Sequence, residues 1–172
     1  FTNRAREFAS LATRARALGY SGHIVAGGHF AAFNAEQLLN DVPAFDSVAI
    51  GEGEALICEL ATHLDDLSRV DGLVWRDGDR IIRNTPARKT SDLDTLAVPP
   101  RLKPFYEYLG IPITNIVSSR GCLHTCAFCS IAAWHKLCGG ERYRTRSPEN
   151  VAEEMATLYR GGVRIFNFQD DS

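Results

Sequence analysis

The run Ile113-Thr114-Asn115-Ile116-Val117-Ser118 leads through Ser119-Arg120-Gly121 into Cys122-Leu123-His124-Thr125-Cys126-Ala127-Phe128-Cys129. Its first six residues are rich in β-branched side chains and predict a strand. Three cysteines then fall within eight positions in a CxxxCxxC pattern, so three thiolates share one short loop beyond the carboxyl end of that strand. Three sulfurs hold three corners of a cubane iron–sulfur cluster and leave the fourth iron open to a small molecule. The CxxC pairs of zinc ribbons and the CxxCxxC run of bacterial ferredoxins are spaced differently and fit less well.

Downstream, Ser147 is placed to cap a helix with Pro148 at its first position and Glu149 near the positive end of the dipole. Val151, Met155 and Leu158 form the buried stripe of this helix, and Gly161-Gly162 ends it. Val163 to Phe168 predicts one more strand, running into Gln169-Asp170-Asp171. A strand–helix–strand unit is thus opened around the cysteine loop.

Upstream, Gly72-Leu73-Val74-Trp75 and Arg80-Ile81-Ile82-Arg83 flank Asp77-Gly78, a hairpin signal, and prolines at 86, 99, 100, 104 and 112 mark an extended linker. Earlier still, Phe8, Leu11, Ala12, Ala15 and Leu18 recur at helical spacing and predict an amphipathic helix from Phe1 to Leu18, stopped by Gly19. His23-Ile24-Val25-Ala26 ends in Gly27-Gly28, and Asn34 is placed to cap a brief helix through Leu39. Ser47-Val48-Ala49-Ile50 then ends in Gly51-Glu52-Gly53-Glu54, and a further helix carries Leu56, Leu60 and His63. Helices alternating with strands that end in glycine loops are the grammar of a doubly wound parallel sheet, with ligands beyond the carboxyl ends of the strands. About half of such a domain is expected here, and both chain ends read as cut, so the sequence is expected to be a fragment.

The chain has 172 residues, 45% hydrophobic and 23% charged, which excludes disorder and collagen-like repetition. A net charge of −2 gives no general pull toward nucleic acid or anionic lipid. No apolar run approaches the roughly 18 residues of a membrane span, and Arg4, Arg6, Arg14 and Arg16 interrupt any secretory signal. Five cysteines, an odd number with tight local spacing, read as metal chemistry in a reducing compartment, and the cytoplasm is the expected location. Leu56 stands where a dinucleotide fingerprint needs its third glycine, so Gly51-Glu52-Gly53-Glu54 does not predict a nicotinamide site.

With Phe128 immediately before its last cysteine, the loop resembles the radical S-adenosylmethionine superfamily, whose signature is CxxxCxΦC with an aromatic at Φ. The resemblance implies that Cys122, Cys126 and Cys129 bind a [4Fe-4S] cluster whose open iron chelates S-adenosylmethionine. It implies further that Phe128 packs near the adenine, and that the reduced cluster cleaves a carbon–sulfur bond to release a 5′-deoxyadenosyl radical. The superfamily fold is a complete or partial TIM-type barrel, and its second strand often ends in a glycine–glutamate motif that holds the methionyl amine. Here Asp170 or Asp171 offers a carboxylate at that place, beside the plainer reading that such strand ends carry exposed acids.

Residues before the linker resemble the cobalamin-binding domain fused to many of these enzymes. The cues are Gly27-Gly28, then Gly51-Glu52-Gly53-Glu54, then Asp92-Leu93-Asp94-Thr95-Leu96 with Pro99-Pro100-Arg101. In that family the double glycine lets backbone approach the nucleotide tail of cobalamin. The DxHxxG motif with the cobalt-ligating histidine is not found in this sequence, and His29 does not match it.

The implied fold is α/β: residues 1–70 as the C-terminal half of a Rossmann-like (flavodoxin-like) cobalamin domain, 71–112 as hairpin and linker, and 113–172 as the first βαβ unit of a radical S-adenosylmethionine barrel. The implied activity is methyl transfer or radical cyclisation or rearrangement, with the isolated chain expected to be inactive. A small-molecule substrate and an electron donor such as flavodoxin or ferredoxin are the implied partners. Two alternatives stay open: an upstream domain that does not bind cobalamin, and a non-catalytic zinc or iron–sulfur module in which Cys138, His124 or His135 completes the site. Cys58 reads as a small buried hydrophobe, and Arg142, Arg144 and Arg146 read either as donors to an anionic cofactor or as a solvated basic edge.

Overall fold

The computed structural model describes residues 4–171, and these divide into two compact units, residues 4–89 with 136–140 and residues 90–135 with 141–171. In the first unit, α1 (Ala5–Ala17) precedes β1 (Val25–Ala26), α2 (His29–Phe33), α3 (Ala35–Asp41), β2 (Ser47–Ala49), α4 (Gly53–Thr62), β3 (Leu73–Asp77) and β4 (Arg80–Arg83). The strands form one sheet in the order β1-β2-β3-β4, with β1 and β2 parallel and the remaining pairs antiparallel. The hairpin read as a separate element therefore extends the first sheet, Val48 pairing with Val74 and Trp75 with Ile82.

Leu56, Leu60, Val70 and Leu73 make the buried core under α4, packed by Val25, Ala49, Leu67 and Trp75. Each such side chain contributes roughly 1.5–3 kcal/mol on leaving water. The expected helix is present, and the expected Asn34 cap is not. The helix α1 forms, but of its apolar stripe only Ala12 is buried, while Phe8, Leu11 and Leu18 are 56%, 63% and 78% exposed; the first three residues of the expected helix lie outside the described residues. Asn34 does precede α3, yet its side chain caps nothing and donates to the Phe30 carbonyl instead.

The amino ends of the parallel strands are pinned by polar contacts. Arg16 donates to the carbonyls of Tyr20, Gly22 and Ala44 and pairs with Asp46, whose carboxylate also accepts the Ile24 amide. His23 Nε2 lies 2.6 Å from the hydroxyl of fully buried Ser47. Burial holds His23 below its ordinary value of 6.5, with the Asp46 charge opposing and Arg16 reinforcing the shift. Below 6.5 the unfolded chain therefore binds more protons than the folded one, and stability falls as pH drops until the folded imidazole also titrates. The thermal midpoint is expected to decline between pH 6.5 and 5 in the wild type, with a shallower slope in His23→Gln; equal slopes in both proteins would exclude this imidazole as the cause.

The second unit holds β5 (Tyr106–Tyr108), β6 (Ile111–Ile116), β7 (Ser119–Gly121), most of α5 (Ser130–Cys138), β8 (Tyr143–Thr145), α6 (Pro148–Arg160) and β9 (Ile165–Phe168). Its three-stranded sheet has the order β5-β6-β9, with β6 and β9 parallel in the register Ile113↔Ile165 to Ile116↔Phe168. Ser147 caps α6 by accepting the Asn150 amide at 3.1 Å, with Pro148 in the first turn as its missing N–H allows. Val151, Met155 and Leu158 turn inward as the spacing requires and pack on Ile116 and Val163. The βαβ unit β6-α6-β9 is thereby complete, and among the described residues no closed barrel is formed.

Candidate functional site

Beyond Ile116 the chain leaves β6, and β7 pairs with β8 in the register Ser119↔Thr145, Arg120↔Arg144 and Gly121↔Tyr143. This short ladder closes the base of the loop from Cys122 to Arg142. Three sets of contacts then fix the loop. The Arg142 guanidinium donates to the carbonyls of Leu123 and His124 at 3.1 and 2.8 Å. A turn closes from the Cys129 amide to the Cys126 carbonyl at 3.0 Å. At the strand end, Asp170 Oδ1 accepts the amides of Ser118 and Ser119 at 2.8 and 3.0 Å, Asp170 Oδ2 accepts the Ser118 hydroxyl, and Asp171 Oδ2 accepts the Gly121 amide at 2.8 Å.

The three signature cysteines are free thiols, Cys126 exposed and Cys122 and Cys129 half-buried. The His124 amide approaches Cys122 Sγ at 3.4 Å, the kind of N–H···S contact that stabilises cluster-bound sulfur. Among the described residues no three His, Cys, Asp or Glu side chains converge as a single-ion site requires. A cubane places each sulfur on a different iron, so its three thiolates need not approach one another as closely as ligands of a single ion do. Phe128 is 94% exposed at the tip of the same loop.

The other cysteines fall elsewhere. Cys138, at the end of α5, is buried in the first unit, and burial pushes its thiol up, the Glu52 charge adding to this and Lys89 opposing it. A thiol held protonated is a poor ligand. Cys58 is exposed on α4, so the expectation of a small buried hydrophobe is corrected. The three arginines all bond groups of the protein itself. Arg142 holds the cysteine loop; Arg144 is buried and donates to the Thr90 carbonyl. Arg146 donates to the Val117 carbonyl and to Glu154, whose almost wholly buried carboxylate also receives Arg101 at 3.1 Å.

In the first unit the register Ala26↔Val48 brings the ends of β1 and β2 level, so Gly27-Gly28 and Gly51-Glu52-Gly53 lie at the same carboxyl edge. Gly28 has φ +85, and a Cβ there, like one at Gly53, would meet nothing within 4 Å. Gly51 has φ +118 with Ala87 3.7 Å from a would-be Cβ, and Glu52 directly precedes α4. Exposed glycine backbone beside open space fits the close approach of a large planar ligand.

Comparison with known proteins agrees with this organisation. No family model matches the chain. It is 35% identical over 156 residues to the anaerobic magnesium-protoporphyrin IX monomethyl ester cyclase of Synechocystis sp., covering 87% of this chain and 30% of that protein. It is 31% identical over 156 residues to an uncharacterized methyltransferase of Pyrococcus horikoshii, covering 87% of this chain and 33% of that protein. The chain thus spans about a third of the length of the curated relatives it matches. Among solved structures, the radical S-adenosylmethionine methyltransferase TsrM of Kitasatospora setae, determined with cobalamin and a [4Fe-4S] cluster bound, shares the fold with a TM-score of 0.77 at 22% identity, over 98% of this chain and 34% of that one. With a glycine-looped α/β unit ahead of a CxxxCxxC βαβ unit, the chain is thus a relative of these cyclase and methyltransferase sequences and shares the fold of the radical S-adenosylmethionine methyltransferase.

Proposed function

We propose that the chain is part of a cobalamin-dependent radical S-adenosylmethionine enzyme that performs methyl transfer or a radical cyclisation or rearrangement on a small molecule. The observation that carries this reading is the CxxxCxxC loop, braced at the carboxyl end of β6 with a backbone amide directed at Cys122 Sγ. Bound by Cys122, Cys126 and Cys129, a [4Fe-4S] cluster supplies when reduced the electron that cleaves a carbon–sulfur bond of S-adenosylmethionine.

The chain's own residues then bind and orient. Cys122, Cys126 and Cys129 would hold the cluster and leave it accessible to the amino acid end of S-adenosylmethionine. Asp171 is exposed beside the loop and provides the carboxylate for its ammonium, a charge-assisted contact, whereas both oxygens of Asp170 are engaged by backbone and hydroxyl donors. Gly27, Gly28, Gly51, Glu52 and Gly53 form the edge that receives cobalamin. An electron donor such as flavodoxin or ferredoxin completes the system in the cytoplasm; all five cysteines are free, and no helix among the described residues is long and apolar enough to cross a membrane.

Anaerobic reconstitution with iron and sulfide tests the reading. About four irons and four acid-labile sulfides per chain are expected, the count of one cubane cluster; stoichiometric zinc without sulfide would replace it with a zinc module. A second measurement addresses Phe128. Because the ring is 94% exposed and supports no core, Phe128→Ala is expected to leave thermal stability and iron content unchanged. Its loss removes apolar contact with the adenine, so S-adenosylmethionine affinity in the full-length protein should fall about tenfold. An unaltered dissociation constant would remove Phe128 from the site.

A further inference from the structure

At the end of β9 the chain carries two adjacent acids with different tasks. Up to Phe168 the parallel ladder with β6 is made by backbone, and the Gln169 amide still reaches the Ile116 carbonyl at 2.8 Å. One residue later β6 has turned away toward β7, and the amides of Ser118 and Ser119 have left the ladder. Asp170 meets both with a single oxygen, while its other oxygen takes the Ser118 hydroxyl. The carbonyl of Ser118 is meanwhile held by the Arg146 amide at 2.9 Å. Every polar group of Ser118 is thereby bonded, four positions before the first cysteine.

We infer that Asp170 is a positioning residue: a strut that fixes where the chain leaves β6, and so sets the register of the cysteine loop, while taking no part in binding S-adenosylmethionine. The inference rests on the proposed role of that loop. The amides and the hydroxyls of Ser118 and Ser119 converge on one half-buried carboxylate. Although burial raises this acid, the Ser118 hydroxyl, the Ser119 and Ser118 amides and the Ser119 hydroxyl outweigh it and hold the carboxyl below its ordinary value. Both oxygens of the carboxylate are thereby engaged within the chain. The geometry asks for acceptors at fixed points and does not ask for charge.

That distinction makes the proposal testable, because asparagine keeps the shape. In Asp170→Asn the amide oxygen can accept the Ser118 and Ser119 amides, and the new NH2 can donate to a Ser118 hydroxyl that rotates to accept it. In Asp170→Ala these donors all lose their partner. Hydrogen exchange at the Ser118 and Ser119 amides is measured on the cluster-free chain, followed by iron and sulfide content after reconstitution and S-adenosylmethionine affinity in the full-length protein.

Asp170→Ala should speed exchange at both amides about tenfold, the scale of a lost hydrogen bond to a charged group, and lower cluster content. Asp170→Asn should stay near wild type in exchange, cluster content and affinity. Unchanged exchange and cluster content in Asp170→Ala would overturn the strut. So would an Asp170→Asn variant with normal exchange and cluster but weakened S-adenosylmethionine binding, since that loss would place the charge on the ligand. If the wild-type chain assembles no cluster, the proposed function fails, while the exchange arm still decides whether Asp170 braces the loop. Circular dichroism confirms that each variant is folded.

Discussion

Replacing any one of Cys122, Cys126 or Cys129 by alanine is expected to reduce iron and sulfide after anaerobic reconstitution to background, while Cys58→Ala and Cys138→Ala retain the wild-type content. Each signature sulfur holds a separate iron, so a vacant corner exposes that iron to solvent and exchange. The structure supports the contrast. The three signature thiols lie on one braced turn, Cys58 is exposed on α4, and Cys138 is buried with its thiol pushed up. Single substitutions in the loop also leave its frame standing, because Arg142 and the Asp170–Asp171 pair bond to backbone and hydroxyl groups and to no cysteine side chain. Loss of cluster in Cys138→Ala with normal folding would give the site a fourth sulfur and close the iron that S-adenosylmethionine needs.

The elements that could be read from the sequence are those whose signals are local. Ser147 and Pro148 announce α6 because a cap and a missing N–H are properties of neighbouring residues, and the Val151, Met155, Leu158 stripe follows from helical period alone. Asp77-Gly78 announces its hairpin for the same reason, Gly78 supplying the positive φ of the turn. Partners distant in sequence were not legible. That the hairpin joins the first sheet depends on Val48 meeting Val74, and the β7–β8 ladder depends on residues 119 and 145 meeting across the whole cysteine loop. The strand Tyr106–Tyr108 lay hidden among prolines, which argue against regular structure, although its partner β6 pairs with it across the Leu109-Gly110 turn.

The site shows the same division. Cysteine spacing located the loop, since three identical ligands at short intervals are a local pattern. The charged residues around it could not be assigned, because a guanidinium or carboxylate looks the same whether it faces a cofactor, solvent or a backbone group. Arg144 lies in β8 and Arg142 and Arg146 flank it, yet each bonds groups brought close only by the fold: Leu123 and His124 for Arg142, Thr90 for Arg144, and Glu154 for Arg146. In α1, period identified a stripe that the described residues leave mostly uncovered, because amphipathicity specifies a face and not what lies against it.

The second large effect is expected at Gly121, the residue before the first cysteine. Its φ of +86 is a conformation that costs a residue with a side chain about 1–2 kcal/mol. A Cβ there would also lie 1.9 Å from the Arg142 carbonyl oxygen and 2.7 Å from His135 Nε2. The imidazole can shift, but the carbonyl belongs to backbone at the edge of β8, where Gly121 pairs with Tyr143. Gly121→Ala must therefore open the β7–β8 ladder, displace Arg142 from the carbonyls of Leu123 and His124, and loosen the turn that presents all three thiols. A loss of about 3 kcal/mol or more is expected, in the range reserved for substitutions that break a tightly specified backbone. Gly78→Ala is the control: it also sits at positive φ, +57, but its Cβ would meet nothing within 4 Å, so it should cost only the conformational part, about 1–2 kcal/mol. Urea unfolding of both variants, with cluster content measured in parallel, separates the two contributions: Gly78→Ala should load iron and sulfide normally and Gly121→Ala should not. Equal destabilisation with intact cluster in both would mean that the close approach of β7 to β8 is not what holds the loop, and that its brace lies wholly in the contacts of Asp170 and Asp171.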